Sequence, residues 1–233
     1  MARQTTVRHR PPALDEDNFV SGVVGATVWT RQHVISIIIA LVAVVVVFLG
    51  VLYYRSYRSA LEERAATELT QIRQIAAAGN LPLATRQLRQ FVVKYGSTNG
   101  ANEGRILLAQ SLLDQNAAKD AIPFVQPLAS NLGQPLGPAA AFLLAAAYEA
   151  SGDVRQAEAT YLRIADKARF EFQRRDAYEG AARLKLQHSD PAGAASLYER
   201  ILAQMPDTAT GRPIYQMRLA EAQAQAQGQP AKK

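Results

Sequence analysis

Histidine is the side chain best suited to bind a metal or move a proton near neutral pH, and the three histidines of this sequence lie far apart. His9 precedes a pair of prolines, His33 precedes a long apolar segment, and His188 lies beside a serine–aspartate turn. No carboxylate or second histidine stands at the spacing of a metal site from any of them. We therefore expect no metal site.

Other reactive groups and motifs are also missing. The 233 residues include no cysteine, which excludes disulfides, zinc ribbons, thiol nucleophiles and iron–sulfur clusters. There is no G-x-S-x-G, no GxxxxGK[ST] and no GxGxxG, and the glycines cluster in turns, where backbone geometry explains them. The paired carboxylates Glu62 and Glu63 lie in an arginine-rich segment that favours local ion pairs. The sequence predicts no cofactor and no enzymatic activity.

The densest group of charges lies between residues 163 and 176. Its cations are Arg163, Lys167, Arg169, Arg174 and Arg175, and its carboxylates are Asp166, Glu171 and Asp176. Alternating signs favour ion pairs along a helix, and an anionic partner surface is the alternative. The net charge of the chain, +6, is spread along the sequence rather than concentrated. This spread predicts that nucleic acid is not a partner.

A single apolar segment covers residues 34–54, VISIIIALVAVVVVFLGVLYY, and carries no charge. A helix rises ~1.5 Å per residue, so this segment spans the ~30 Å hydrocarbon core of a bilayer. Trp29 precedes it, and Tyr57 and Arg58 follow it, as is typical of the interface. Because 33 residues precede it and no cleavage site follows, we expect a permanent transmembrane helix rather than a signal peptide.

A repeated pattern occupies residues 55–225. Four segments share an apolar helix, a turn of small polar residues and a second helix that opens with alanine. The aligned alanines are Ala84, Ala121, Ala157 and Ala194, so the period is 37, 36 and 37 residues. Alanine at this position lets two helices cross closely, and the residues four and seven positions later fill the groove between pairs.

The pattern resembles the tetratricopeptide repeat (TPR) over residues 60–206. The third copy carries Leu144–Ala145, Tyr148, Ala157 and Tyr161 at the family spacings. The resemblance implies an all-α fold: one N-terminal transmembrane helix, then an α-solenoid of about four TPR-like helix pairs and a C-terminal capping helix. The expected segments are a partly disordered tail with a candidate interfacial helix (1–33), the span (34–54), the repeat domain (55–226) and a flexible tail (227–233).

The order of a short tail, one span and about four repeats is similar to that of the ancillary Sec-translocon subunit family. Its members are bacterial inner-membrane proteins with a cytoplasmic N-terminus and a TPR domain in the periplasm. The resemblance implies binding to translocon subunits, periplasmic chaperones or secreted clients. The arginine count beside the span slightly favours the opposite orientation, but long translocated domains often ignore such differences. Two other hypotheses stay open: a self-associating structural membrane protein, and a cytoplasm-facing TPR adaptor.

A binding surface is expected on the first helices of the pairs, which line the inner face of such arrays. The register of the repeats places six candidate residues there: Gln110, Asp114, Phe142, Glu149, Glu179 and Arg183. Phe142 is the strongest candidate, because a large apolar side chain facing a groove needs a partner. These positions predict protein binding rather than catalysis.

Two further helices frame the repeats. Residues 55–78 carry an apolar stripe that includes Leu61, Leu69 and Ile72. We expect this stripe to pack on the first repeat, and pairing with a second copy as a coiled coil is the alternative. Near the C-terminus, RPIYQMRLAEAQAQAQ predicts a capping helix that packs through Ile214, Met217, Leu219 and Ala220.

Overall fold

The computed structural model describes residues 16–228, which form helices joined by short turns, with no strand among them. The helices are α1 (Glu16–Ala77), α2 (Leu81–Lys94), α3 (Asn99–Asp114), α4 (Ala118–Ala129), α5 (Gly137–Ala150), α6 (Val154–Lys167), α7 (Glu171–Gln187), α8 (Pro191–Gln204) and α9 (Arg212–Ala226). The predicted all-α fold is confirmed. The predictions for residues 1–15 and 229–233 lie outside the described residues.

The chain divides into two units, Met1–Ser59 and Ala60–Lys233. In the first unit, every described side chain between Val34 and Tyr54 is exposed, including Val47 at 66%. Within residues 16–228, one helix is long and apolar enough to cross a membrane, judged by its length and composition. An exposed apolar surface of this extent is costly in water and stable in lipid.

The second unit contains the four predicted pairs, and each helix from α2 to α9 packs against the next along the chain. The residue that opens each turn within a pair has a positive φ: Gly79 (86°), Asn116 (58°), Gly152 (82°) and Ser189 (59°). Glycine and asparagine adopt this left-handed backbone most readily, which is why the sequence marks these turns. The four turns lie where the repeat predicts them.

The aligned alanines lie in the core between the packed helices. Ala84, Ala121, Ala157 and Ala194 are all buried. Larger residues further along each second helix, such as Ile164 in α6, are buried in the same core. The prediction that these alanines pack in the core is confirmed by their burial. After the fourth pair, α8 ends at Gln204, just before Pro206.

The end of α1 packs on the first repeat, as predicted. The stripe residues Ala65, Leu69 and Ile72 are buried in the core shared with α2 and α3. On the same helix, the Glu68 carboxylate accepts hydrogen bonds from Lys94 Nζ at 2.7 Å and from the Tyr95 hydroxyl at 2.9 Å. The pKa of Glu68 is lowered, chiefly by the hydrogen bond from Lys94. The apolar stripe of α1 therefore packs against the first repeat of its own chain.

Helix α9 packs through a different face from the one predicted. Ile214 and Met217 are exposed at 50% and 57%, whereas Ala222 is buried and Tyr215 and Leu219 are partly buried. Ala220 is exposed as well, so three of the four predicted packing positions, Ile214, Met217 and Ala220, were wrongly assigned to the core. The hydrogen bond that Tyr215 donates to α7, described below, requires this rotation of the helix.

Asp190 caps α8, and its replacement by alanine is expected to cost about 1 kcal/mol of stability. Its carboxylate accepts a hydrogen bond from the Gly193 backbone N–H at 2.8 Å and pairs with Lys185 at 3.1 Å. Both contacts lower its pKa below the ordinary 3.8. The stabilising contribution of the Asp190 carboxylate is therefore present at neutral pH. It is lost as the pH falls through the lowered pKa of Asp190.

Thermal unfolding of Asp190→Ala and of the unmodified chain at pH 7 and pH 3 measures this effect. The difference in stability between Asp190→Ala and the unmodified chain should be smaller at pH 3, because protonation of Asp190 weakens the cap. Asp190→Asn is the matched control, because its side-chain oxygen still accepts the hydrogen bond. Equal losses in the alanine and asparagine variants at pH 7 would contradict capping by Asp190.

Candidate protein-binding groove

Four of the six predicted groove residues come together on two successive first helices. Phe142 and Glu149 lie on α5, and Glu179 and Arg183 lie on α7. Arg183 forms an ion pair with Glu149, and Phe142, Glu179 and Arg183 line one depression. The repeat period therefore identified positions that are neighbours in space.

The other two predicted residues, Gln110 and Asp114, are exposed on α3 and do not line this depression. Their helix packs against α5 as well as against α4. Their part in binding stays a prediction.

The depression between α5 and α7 has a volume of about 420 Å³ and opens to solvent. Its lining residues are Phe142, Tyr161, Asp176, Glu179, Gly180 and Arg183. The rings of Phe142 and Tyr161 are 6.4 Å apart and tilted by 56°. Both rings are mostly buried, so the floor is aromatic while the rim is charged. A site of this kind can take an apolar side chain and pair the polar groups around it.

The first charged contact at the rim joins α5 to α7. Arg183 donates two hydrogen bonds to the Glu149 carboxylate, one of them 2.8 Å long. The Tyr161 hydroxyl donates to the same carboxylate at 3.4 Å. Burial, followed by the nearby Glu149 charge, raises the pKa of Tyr161. The phenol therefore stays protonated and acts as a donor at neutral pH.

The second charged contact joins α7 to α9. The Glu179 carboxylate accepts a hydrogen bond from the Tyr215 hydroxyl at 2.8 Å and forms an ion pair with Arg218. Burial and the hydrogen bond to Glu179 raise the pKa of Tyr215 to about 12. Glu179 also lines a second depression of about 350 Å³, which lies between α7 and α9. Glu179 therefore separates two adjacent depressions on the same side of the array.

A further ion pair, between Arg73 of α1 and Glu103 of α3 at 2.8 Å, repeats this arrangement. Ion pairs thus bridge α1 to α3, α5 to α7, and α7 to the capping helix α9. Partly exposed pairs of this kind contribute only ~0.2–1 kcal/mol each. We infer that they mainly fix the spacing of the first helices, which sets the width of the groove.

Gly180 determines how closely Tyr161 approaches the groove, and Gly180→Ala is expected to cost about 1–3 kcal/mol of stability. A β-carbon at this position would lie 2.7 Å from Tyr161 Cε1, so the ring must move. Chemical denaturation measures the loss. In a Tyr161→Ala background the same change should be neutral or stabilising, because the ring is absent and alanine favours helix. An equal loss in both backgrounds would contradict the contact.

Sequence reasoning missed several residues that line the groove or hold its rim. Tyr161 lies on α6, the second helix of its pair. Its ring reaches the floor of the groove because Gly180 has no side chain to block it. Tyr215 and Arg218 belong to α9, for which the repeat pattern gave no register. Asp176 lines the rim, and its pKa is raised by burial, with Arg175 acting in the opposite direction. Gly180, a glycine inside α7, was the one sequence feature that indicated the close contact with Tyr161.

A larger open depression, of about 750 Å³, lies between α1 and α2. Its wall is mostly polar and includes Glu63, Thr67, Gln71, Gln87 and Gln90. This side of the first pair is therefore suited to solvent, as the end of a repeat array requires.

Metal-binding groups do not assemble in the described part of the chain: residues 16–228 contain no cluster of three or more histidine, aspartate or glutamate side chains that could hold an ion. The charged residues of the groove pair with one another across helices instead.

The prediction of ion pairs within the basic cluster of residues 163–176 is wrong. None of its five cations forms an ion pair with a described carboxylate. Helix α6 ends at Lys167 and α7 begins at Glu171, so the charges do not share one continuous helix. Arg174 instead donates to the Ala168 carbonyl at 3.2 Å.

Comparison with known proteins agrees with this architecture. A family model described as a tetratricopeptide repeat-like domain matches residues 28–221. Among solved structures, the chain is similar to TPR-like repeats of a Podosopora anserina protein described as a kinesin light chain. The identity is 20%, over 72% of this chain and 88% of that chain, with a TM-score of 0.57. A variant of that protein gives the same values. No curated protein matches the chain.

Proposed function

Because the chain belongs to the tetratricopeptide repeat-like family, we propose that it is a membrane-anchored TPR scaffold that binds proteins at the cell envelope and catalyses no reaction. The repeat fold itself supports protein–protein interaction, since stacked helix pairs offer an extended surface to a partner.

The observation that carries the proposal is the groove between α5 and α7. Its aromatic floor, formed by Phe142 and Tyr161, lies beside the paired charges of Glu149 and Arg183. Interfaces draw most of their binding energy from a few aromatic and arginine side chains in such settings. The site offers no nucleophile paired with a base, so binding accounts for its chemistry better than catalysis.

The anchor is residues 34–54. Their exposed apolar side chains need an apolar environment, and the segment is long enough for a bilayer. Anchoring holds the groove near membrane partners at a high effective concentration, so a modest groove affinity is sufficient. The resemblance to the ancillary Sec-translocon subunits supports a place in the bacterial inner membrane, with the N-terminus cytoplasmic and the repeats periplasmic.

The proposed partners are translocon subunits, periplasmic chaperones or secreted clients. Two alternatives differ from this in class or in topology: a self-associating structural protein, and a cytoplasm-facing adaptor. The stripe that would drive self-association includes Leu69 and Ile72, which are buried against the first repeat of their own chain. This observation favours the scaffold over self-association through residues 55–78.

Photo-crosslinking from the groove tests the proposal. A photoreactive phenylalanine derivative replaces Phe142 in the full-length chain, and cells are irradiated before the membranes are isolated. The control carries the same derivative at Val93, which is 83% exposed on α2, away from the groove. We expect adducts with a translocon subunit, a periplasmic chaperone or a secreted protein from position 142, and none from position 93.

Three results would count against the proposal. Adducts between two copies of the chain would favour the self-associating protein. Adducts with cytoplasmic proteins would favour the cytoplasm-facing adaptor. Equal labelling from positions 142 and 93 would show that the groove is not the binding surface.

A further inference from the structure

The depression between α7 and α9 has an apolar wall that the capping helix supplies. Ile214 is 50% exposed and lines this depression beside Met205 and Tyr215. Met217, on the same helix and 57% exposed, lines neither this depression nor the groove between α5 and α7. The exposed side chain of Ile214 therefore belongs to a concave surface that can receive an apolar group.

The α7–α9 depression and the groove lie on either side of α7 and share Glu179 as a common wall. Their volumes are about 350 and 420 Å³, which is enough for one large side chain each. Because a helix with its side chains is about 10 Å across, the two depressions are separated by roughly 10 Å. A ligand that fills both must present two side chains at that distance.

This separation favours one kind of peptide backbone. In a polyproline II segment, residues three positions apart lie on the same face and about 9.3 Å from each other, because each residue advances ~3.1 Å. In a β-strand, side chains on one face are about 6.6 Å or about 13 Å apart. The polyproline II spacing is therefore the closest match to the two depressions.

Hydrogen-bond donors at the rim favour an extended backbone over a helical one. Arg183 donates to Glu149, and Arg218 donates to Glu179. Each guanidinium has further N–H groups beyond those that these carboxylates accept. An extended peptide offers unpaired backbone carbonyls to such donors, whereas a helix satisfies most of its own carbonyls internally. The rim therefore suits an extended segment.

Two charged lining residues indicate the order of charges along the peptide. Asp176 lines the groove and Arg175 lines the α7–α9 depression, and neither forms an ion pair with a described residue. The other charged lining residues, Glu179, Arg183 and Arg218, all take part in ion pairs. Charge complementarity therefore predicts a basic residue of the peptide beside the groove and an acidic residue beside the α7–α9 depression.

We propose that the α7–α9 depression is a second side-chain site beside the groove, and that the two together bind an extended peptide segment of the partner. The segment carries two apolar residues three positions apart in polyproline II conformation, with a basic residue next to the first and an acidic residue next to the second. The first apolar residue lies on the aromatic floor formed by Phe142 and Tyr161, and the second lies against Ile214 and Met205. This inference rests on the proposed binding of partners in the groove.

Fluorescence anisotropy with the full-length chain in detergent tests the proposal. The probe is a fluorescein-labelled peptide with the sequence Lys-Phe-Pro-Pro-Leu-Glu between Gly-Ser flanks, and its reversed sequence covers the other chain direction. Peptides with one or with three prolines between the apolar residues change the spacing, and a further peptide exchanges the lysine and the glutamate. We expect the two-proline probe to bind about tenfold more tightly than the other spacings, because it alone fills both depressions. The charge-exchanged peptide should bind more weakly than the probe.

A double-mutant cycle assigns the leucine of the probe to the α7–α9 depression. Replacing that leucine with serine should lower the affinity for the unmodified chain about tenfold, since the burial of one aliphatic side chain is lost. For Ile214→Gln the same replacement should change the affinity less than about twofold, because the apolar wall is gone. Met217→Gln is the matched control on the same helix and should retain the full effect.

Several results would overturn the proposal. An equal loss in the Ile214→Gln chain and in the unmodified chain would show that the leucine lies elsewhere. Equal affinities of the peptides with one, two and three prolines would contradict the spacing. Tighter binding of an alanine-rich helical peptide, with its phenylalanine and leucine seven positions apart, would assign a helical ligand instead. Failure of every extended peptide to bind would also overturn the proposal.

Photo-crosslinking in cells separates failure of the second site from failure of the proposed function. The photoreactive phenylalanine derivative replaces Ile214, and in the control it replaces Met217. We expect position 214 to give adducts with the same partner as position 142, and position 217 to give none. Adducts from position 142 without adducts from position 214 would overturn the second site and leave the proposed function intact. If position 142 gives no adducts, the proposed function fails, and the peptide titration alone decides the second site.

Discussion

Replacing Phe91 with alanine is expected to lower the free energy of unfolding of the repeat domain by about 3–5 kcal/mol. The ring is fully buried, at 0% exposed, and lies 5.0 Å from the Tyr95 ring. It also packs on α3 at Gly104, where a β-carbon would come within 2.7 Å of the ring. The ring therefore joins the first pair to the second, and its removal leaves a cavity between α2 and α3.

Thermal unfolding of the full-length protein in detergent, followed by circular dichroism, measures this loss. Val93→Ala is the matched control, because Val93 lies on the same helix and is 83% exposed. The control should stay within about 0.5 kcal/mol of the unmodified chain. A comparable loss in the two variants would mean that Phe91 does not hold the repeats together.

Two arginines in the middle of the apolar segment are expected to release the chain from the membrane. Val44 and Val47 are exposed at 64% and 66%, near the centre of residues 34–54. Each arginine at the centre of a span costs about 2.5–3.5 kcal/mol of insertion free energy. The double variant Val44→Arg with Val47→Arg should therefore move from the alkali-resistant membrane fraction to the extractable fraction.

The control for this prediction carries the same two charges on the repeat domain. Val93→Arg and Gln204→Arg replace exposed residues of α2 and α8 and should leave the chain in the membrane fraction. If the double variant of the span resists alkaline extraction as well as the unmodified chain does, residues 34–54 are not the anchor.

The repeat architecture could be predicted from the sequence because local features determine it. A left-handed residue such as Gly152 ends one helix, and Asp153 caps the next by accepting a hydrogen bond from the Gln156 backbone N–H. A buried alanine at a constant period marks the second helix of each pair. The same period placed Phe142 and Glu179 at equivalent positions, which the structure brings to one depression.

The predictions that failed concern features that depend on contacts with residues distant in sequence. The buried face of α9 follows from the contacts of Tyr215 and Arg218 with Glu179, which lies 36 and 39 residues earlier. No periodicity within α9 contains that information. The basic cluster was misjudged because the break between α6 and α7 separates its charges. Tyr161 reaches the groove only because Gly180 on α7 leaves room for its ring.

The most direct test of the central claim is protease digestion of spheroplasts that express the full-length chain with an epitope at its C-terminus. We predict that the repeat domain is digested while a cytoplasmic control protein survives, because an anchored scaffold of the cell envelope presents its repeats outside the cytoplasm. Protection of the epitope until the membrane is broken would contradict this topology and would direct the search for partners to the cytoplasm.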